Sequence, residues 1–196
     1  MSSNTTISTR MKNIRPFYVM ELLARAKELE AAGRSIIHME VGEPDFVTAD
    51  PIIQAGKSAL DQGLTGYTPA CGIVPLRNEI ALHYKEHLGV SVDPGRVVVT
   101  PGASGALQLV LSVLINPGDQ ILMSDPGYPC NRHFVEHLSG TPVAIPVQAD
   151  TDFQLTADLV QQHWSDKTRG VMVASPSNPT GTLISKQELR KIYEVT

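Results

Sequence analysis

Apolar positions recur along this chain with two different rhythms. Val19, Leu22, Leu23, Ala26 and Leu29 fall at three- and four-residue intervals on one face, which predicts a helix over 18–32 that Gly33 stops. A short apolar run over 35–39 predicts a strand, and Gly42-Glu43-Pro44-Asp45-Phe46 follows as loop material. Residues 51–62 predict a second helix, with Asp50 as N-cap and Pro51 at its first position. A loop over 63–72 leads to a third helix over 73–88, which ends at Gly89. The polar stretch 1–16 predicts a loosely held arm.

From Arg96 onward short apolar runs alternate with helical stretches. Strands are predicted at 97–99, 120–123, 142–147 and 170–174, and helices at 103–115, 129–138, 155–164 and 185–195. The last helix begins with Ser185 and Glu188 in capping-box spacing. Alternation of this kind predicts an α/β fold, a mostly parallel sheet with helices on both faces. Ligands of such sheets bind outside the carboxyl ends of the strands, so the loops to read are 100–105, 124–129, 148–154 and 175–182.

Three of these loops carry chemistry. Thr100-Pro101-Gly102-Ala103-Ser104-Gly105-Ala106 is built of small residues and opens directly into a helix, whose free N–H groups and positive dipole end suit a phosphate. Taken alone it reads sooner as a plain tight turn, and it is neither a P-loop nor a full Gly-x-Gly-x-x-Gly. Asp125-Pro126-Gly127-Tyr128-Pro129 places an aromatic ring that either packs under its loop or stacks on a flat ligand. Ser175-Pro176-Ser177-Asn178-Pro179-Thr180-Gly181 places an amide that is either a turn asparagine or a donor to a ligand oxygen, before an Asn-Pro bond open to the cis form. Together the three describe a site for a planar, phosphorylated ring.

Composition narrows the classes. With 42% hydrophobic and 18% charged residues the 196-residue chain is of globular type, and its net charge of −4 without a Lys/Arg run gives no footprint for nucleic acid or an anionic membrane. The longest apolar run, 107–115, falls far short of the roughly 20 residues a bilayer requires, and 1–16 has no secretory h-region. Cys71 and Cys130 form neither a disulfide framework nor a zinc spacing, which fits a reducing cytoplasm. The histidine pairs 83/87 and 133/137 lie at i,i+4 without a third ligand type and read as surface residues, so no metal is expected.

Six segments together resemble one family. Gly42 to Phe46, Gly66-Tyr67-Thr68-Pro69, Gly72-x-x-x-Leu76-Arg77, Gly102 to Ala106, Asp125 to Pro129 and Ser177 to Gly181 resemble, in order and spacing, class I/II aminotransferases of the aspartate aminotransferase type, from about residue 14 to the end. The resemblance implies pyridoxal 5'-phosphate as cofactor and the fold type I architecture. Residues 1–45 would be an N-terminal arm and small-domain segment, and 46–196 a partial cofactor-binding large domain. Ala103 and Ser104 would hold the cofactor phosphate. Tyr128 would stack on the pyridine ring, and Asn178 would donate to its phenolic oxygen. Gly42 would offer its N–H to the substrate α-carboxylate. Tyr67 would reach, from the partner subunit of a homodimer, the neighbouring phosphate. Arg77 receives a structural role. Position 103 is Ala where Ser or Gly is also usual, which leaves a backbone contact undisturbed.

The family's chemistry also needs a Schiff-base lysine, an aspartate on the ring nitrogen and a carboxylate-clamping arginine, all beyond the Asn-Pro-Thr-Gly motif. Lys12, Lys27, Lys57, Lys85, Lys167, Lys186 and Lys191 all read as solvated charges, so the resemblance implies the N-terminal portion of a longer enzyme, inactive alone and with exposed apolar surface. The implied reaction moves an amino group between an amino acid and a 2-oxo acid. A C–S lyase or an aminocyclopropane-carboxylate-synthase-like enzyme shares the same motifs, and a short non-catalytic binding module is a third reading. A nicotinamide-binding domain fits less well, because the loop at 102–105 lacks the third glycine.

Overall fold

The computed structural model describes residues 6–196. The chain forms two compact units: Leu22–Ala106, and the segment up to Glu21 together with Leu107–Thr196. The predicted arm over 1–16 is partly tied down: its first five residues lie outside the described ones, and Thr9–Asn13 forms a 3-10 turn beside helix α5 (Cys130–His137).

The first unit is helical. It takes most of α1 (Tyr18–Ala31), then α2 (Asp50–Asp61), α3 (Val74–Leu88) and the first turn of α4 (Gly102–Leu114). Pro51 and Pro75 sit in the opening turns of α2 and α3, where a missing N–H costs nothing. The N-cap of α2 is Ala49, so Asp50 instead supplies a negative charge to the first turn. Arg77 donates from Nε and Nη2 to the Pro94 carbonyl, at 3.0 and 2.6 Å, and so ties α3 to the turn that follows it.

The second unit holds a three-stranded parallel sheet in the order β2 (Thr141–Pro146), β1 (Gln120–Asp125), β3 (Thr168–Met172). Leu122 pairs with Val143 on one side and Val171 on the other. Side chains alternate across a strand, so the central strand feeds two cores. Leu122 joins Ile145, Val147, Leu155, Val160 and Ile192, beneath α6 (Ala157–His163) and α7 (Lys186–Glu194). Ile121 and Met123 join Leu111, Ile115 and Val135 beneath α4 and α5. Burial of three successive residues of β1 marks a strand covered on both faces, while the order β2-β1-β3 pairs both of its edges. Helices thus lie on both faces of a parallel sheet.

Two predicted strands are absent. Residues 35–39 and 97–99 belong to no sheet, because a strand needs a ladder of partners. Val99 donates a backbone bond to Cys71, at 3.0 Å, and Val98 stays half exposed. Ile37 and Met39 are almost fully exposed. The capping box of α7 is also only half formed. Ser185 Oγ accepts from the Glu188 N–H at 3.1 Å, but the Glu188 carboxylate turns away and accepts the N–H of Ala157, first residue of α6, at 2.8 Å.

Candidate functional site

The carboxyl end of β1 runs into Asp125-Pro126-Gly127-Tyr128. A side chain at position 127 would place its Cβ 2.7 Å from the Ser124 carbonyl oxygen, so only glycine lets the chain fold back over the strand end. That fold-back sets Tyr128 half-buried above the sheet. The edge of Phe17 supports its ring, with centroids 5.9 Å apart and planes at 76°. Hydrogen bonding with the Cys130 thiol, and then burial, push the Tyr128 hydroxyl above its usual 10.0, so the ring remains neutral across the physiological range.

Beyond β3 the segment from Ser175 to Gly181 folds on itself. Ser177 is buried, and its N–H donates to Thr182 O at 2.9 Å while its carbonyl accepts from Gly181 at 2.8 Å. The Ser175 hydroxyl accepts from the Ile184 N–H at 3.0 Å. The peptide bonds Asp125–Pro126, Ser175–Pro176 and Asn178–Pro179 are cis. Asn178 is exposed, and its side-chain amide makes no hydrogen bond among the described residues. Asn178 and Tyr128 line one small cleft between the carboxyl ends of β1 and β3, together with Ser124, Asn131 and Ser177. A flat ring accepting a hydrogen bond at its rim suits such walls: an aromatic plate on one element and an unused amide on the other.

The remaining predicted residues belong to the unit Leu22–Ala106. Ala103 and Ser104 are exposed in the first turn of α4, whose initial N–H groups have no partner within the helix. Gly102 enters that turn at a left-handed φ of 72°. Gly42 lies in the irregular segment after α1, with open space where a Cβ would stand. Tyr67 is fully exposed in the loop between α2 and α3.

Long-range packing adds residues that no local motif announced. Phe17, from the N-terminal segment, is one, and Gln154, from the third of the loops expected at the sheet's carboxyl end, is another. A larger groove of about 680 Å³ runs between residues 12–19 and the start of α5, with Lys12, Arg15 and Arg132 on its walls beside Asp125, His133 and Glu136. All seven lysines are exposed. Among the described residues no three His, Cys, Asp or Glu side chains converge as metal ligands would.

Known proteins share both sequence and fold with this chain. Residues 34–196 match the family described as Aminotransferase class I and II. The chain is 38% identical to the (5-formylfuran-3-yl)methyl phosphate transaminase of Methanocaldococcus jannaschii, over 96% of its own length and 49% of that protein's. It is 38% identical to a valine–pyruvate aminotransferase of Mycobacterium tuberculosis, over 90% of its length and 45% of the relative's. The structure of an aspartate aminotransferase from Thermus thermophilus with maleate superposes with a TM-score of 0.92 at 29% identity, over 97% of this chain and 50% of that one. The chain thus spans about half the length of the relatives it matches. Class I and II aminotransferases depend on pyridoxal phosphate, and the Tyr128–Asn178 cleft, a space of about 20 Å³, presents an aromatic ring and an amide donor of the chemistry such a group takes. On the sequence match over 34–196 and the superposition together, this chain belongs to the class I and II aminotransferases.

Proposed function

We propose that the protein carrying this chain moves an amino group between an amino acid and a 2-oxo acid, with this chain supplying one part of the cofactor and substrate site. The observation that carries the reading is the cleft at the carboxyl ends of β1 and β3, lined by both Tyr128 and Asn178 in a chain of aminotransferase ancestry. Pyridoxal phosphate, when bound, supplies an electron sink for bonds at the substrate α-carbon. Tyr128 offers a neutral ring, held edge-on by Phe17, as the plate on which the pyridine ring rests. Asn178 donates its side-chain N–H to the ring's phenolic oxygen and keeps it anionic. Ala103 and Ser104 bind the phosphate through first-turn N–H groups and the Ser104 hydroxyl, where the helix dipole favours negative charge. Gly42 binds the substrate α-carboxylate through its N–H.

Tyr67 serves across a homodimer interface, and its complete exposure in this single chain leaves it free for that contact. In the same reading residues 1–45 belong to an arm and a small domain, and 46–196 to the cofactor domain. Among the described residues no helix is long and apolar enough to cross a membrane. Cys71 and Cys130 are unpaired thiols, which supports a cytoplasmic enzyme.

The test is product analysis with the cofactor-loaded protein, an amino-acid donor and 2-oxoglutarate. Transamination yields a new amino acid and a new 2-oxo acid in equal amounts. Release of ammonia or sulfide without a second amino acid would replace the reading with lyase chemistry.

A further inference from the structure

We propose that Gln154 is a positioning residue for Asn178, clamping the two ends of the loop that presents the amide to the cofactor. The inference rests on the role given to Asn178 above. Gln154 comes from a different loop, the one between β2 and α6, and it is buried, with 6% of its surface exposed. Its Nε2 donates to the Thr182 carbonyl at 2.7 Å and to the Ala174 carbonyl at 3.2 Å, with the Thr182 hydroxyl at 3.3 Å. Ala174 and Thr182 bracket the segment Ser175–Gly181, so one amide joins the residue where the chain leaves β3 to the residue where the loop returns. Thr182 O also accepts the Ser177 N–H, at 2.9 Å, which places the clamp one hydrogen bond from the residue preceding Asn178.

Burial matters here. A buried amide that lost these acceptors would strand two N–H donors, and the two carbonyls would lose a side-chain donor, so the clamp has one low-energy arrangement. Among the described residues the Asn178 side chain has no hydrogen bond to hold its direction. Its placement therefore depends on the backbone of its loop, and a site residue displaced by about 1 Å loses much of its effect.

The experiment compares wild type, Gln154→Met, Asn178→Ala and the double variant as cofactor-loaded holoenzymes. Two quantities are read: the dissociation constant of pyridoxal phosphate, and the pH midpoint at which the bound cofactor's visible absorbance band changes. Methionine keeps the length and removes both donors. Gln154→Glu provides a second variant of unchanged shape, which turns a carboxylate toward the two carbonyls. The expected result is that each Gln154 variant moves the midpoint in the same direction as Asn178→Ala and weakens cofactor binding roughly tenfold, about one misplaced hydrogen bond. In the Asn178→Ala background the Gln154 change should then add nothing.

An equal Gln154 effect with and without Asn178 would overturn the proposal, since it marks a merely structural residue. So would wild-type values in the Gln154 variants beside altered values in Asn178→Ala. If Asn178→Ala itself left both readouts at wild type, the role of Asn178 would fall first and the clamp with it.

Discussion

Glu188 illustrates how a local motif is diverted by packing. Its spacing from Ser185 is that of a reciprocal capping box, in which its carboxylate would accept the Ser185 N–H and stabilise α7 alone. In the structure Glu188 Oε1 accepts the Ala157 N–H at 2.8 Å, and Oε2 lies 3.2 Å from Lys191 Nζ. The carboxylate therefore caps α6, thirty-one positions earlier. Replacement by Ala removes a charge-assisted bond to an N–H at a helix start. Bonds of this kind contribute about 1.5–3 kcal/mol, and with the side chain a quarter exposed the lower end applies, so Glu188→Ala should cost about 1–2 kcal/mol.

Glu188→Gln keeps an acceptor without the charge and should cost roughly half as much. Urea denaturation gives the total, and amide hydrogen exchange locates it, with Ala157 losing protection in Glu188→Ala. The pH dependence carries a definite sign. The Ala157 N–H, the largest influence, holds the Glu188 carboxyl below its usual 4.5. Its contribution is therefore complete above that value and is lost as the pH falls through the lower folded-state value. Unchanged Ala157 protection with a strong coupling between Ser185→Ala and Glu188→Ala would refute the reasoning and restore the closed box.

Other expectations follow from single contacts. Gly72→Ala should destabilise the chain by about 1–3 kcal/mol in thermal melts, because φ is 96° and the new Cβ would stand 2.6 Å from the Val99 side chain. Leu122→Ala, at a fully buried position of the central strand, should cost about 2–5 kcal/mol by denaturant titration. Protonated His38 donates from Nδ1 to Glu40 at 2.6 Å and from Nε2 to Glu30 at 2.9 Å, and Glu40 and then Glu30 raise its pKa above 6.5. Its ion pairs should stabilise the end of α1 fully below that pH and fade as pH rises through the raised value. NMR titration of the ring checks this, and a midpoint at or below 6.5 would count against the bridge. Tyr128→Ala should weaken pyridoxal phosphate binding by about 1–3 kcal/mol, read by equilibrium dialysis, if the ring is the stacking plate.

Much of the second unit was legible in the chain itself. Helical periodicity with glycine and proline punctuation placed the seven α-helices of the described residues within a few residues, and the apolar runs at 120, 142 and 170 became three parallel strands, because each pattern is local. The positions of Tyr128 and Asn178 at strand ends followed from the order of elements and the rule for such sheets. Pairing is not local. The apolar runs at 35–39 and 97–99 look like strands, but a strand exists only beside another, and no residue of the run names its partner. The same holds for the side chains that support the site. Phe17 reaches Tyr128 across more than a hundred residues, Gln154 reaches Thr182 across twenty-eight, and Glu188 leaves its own helix for the start of another. Sequence determined the helices, three of the strands and the family, since short-range sterics and motif spacing carry them. Tertiary structure alone decided which donors meet which acceptors, because a buried polar group takes the partner that packing brings within 3 Å, wherever that partner lies along the chain.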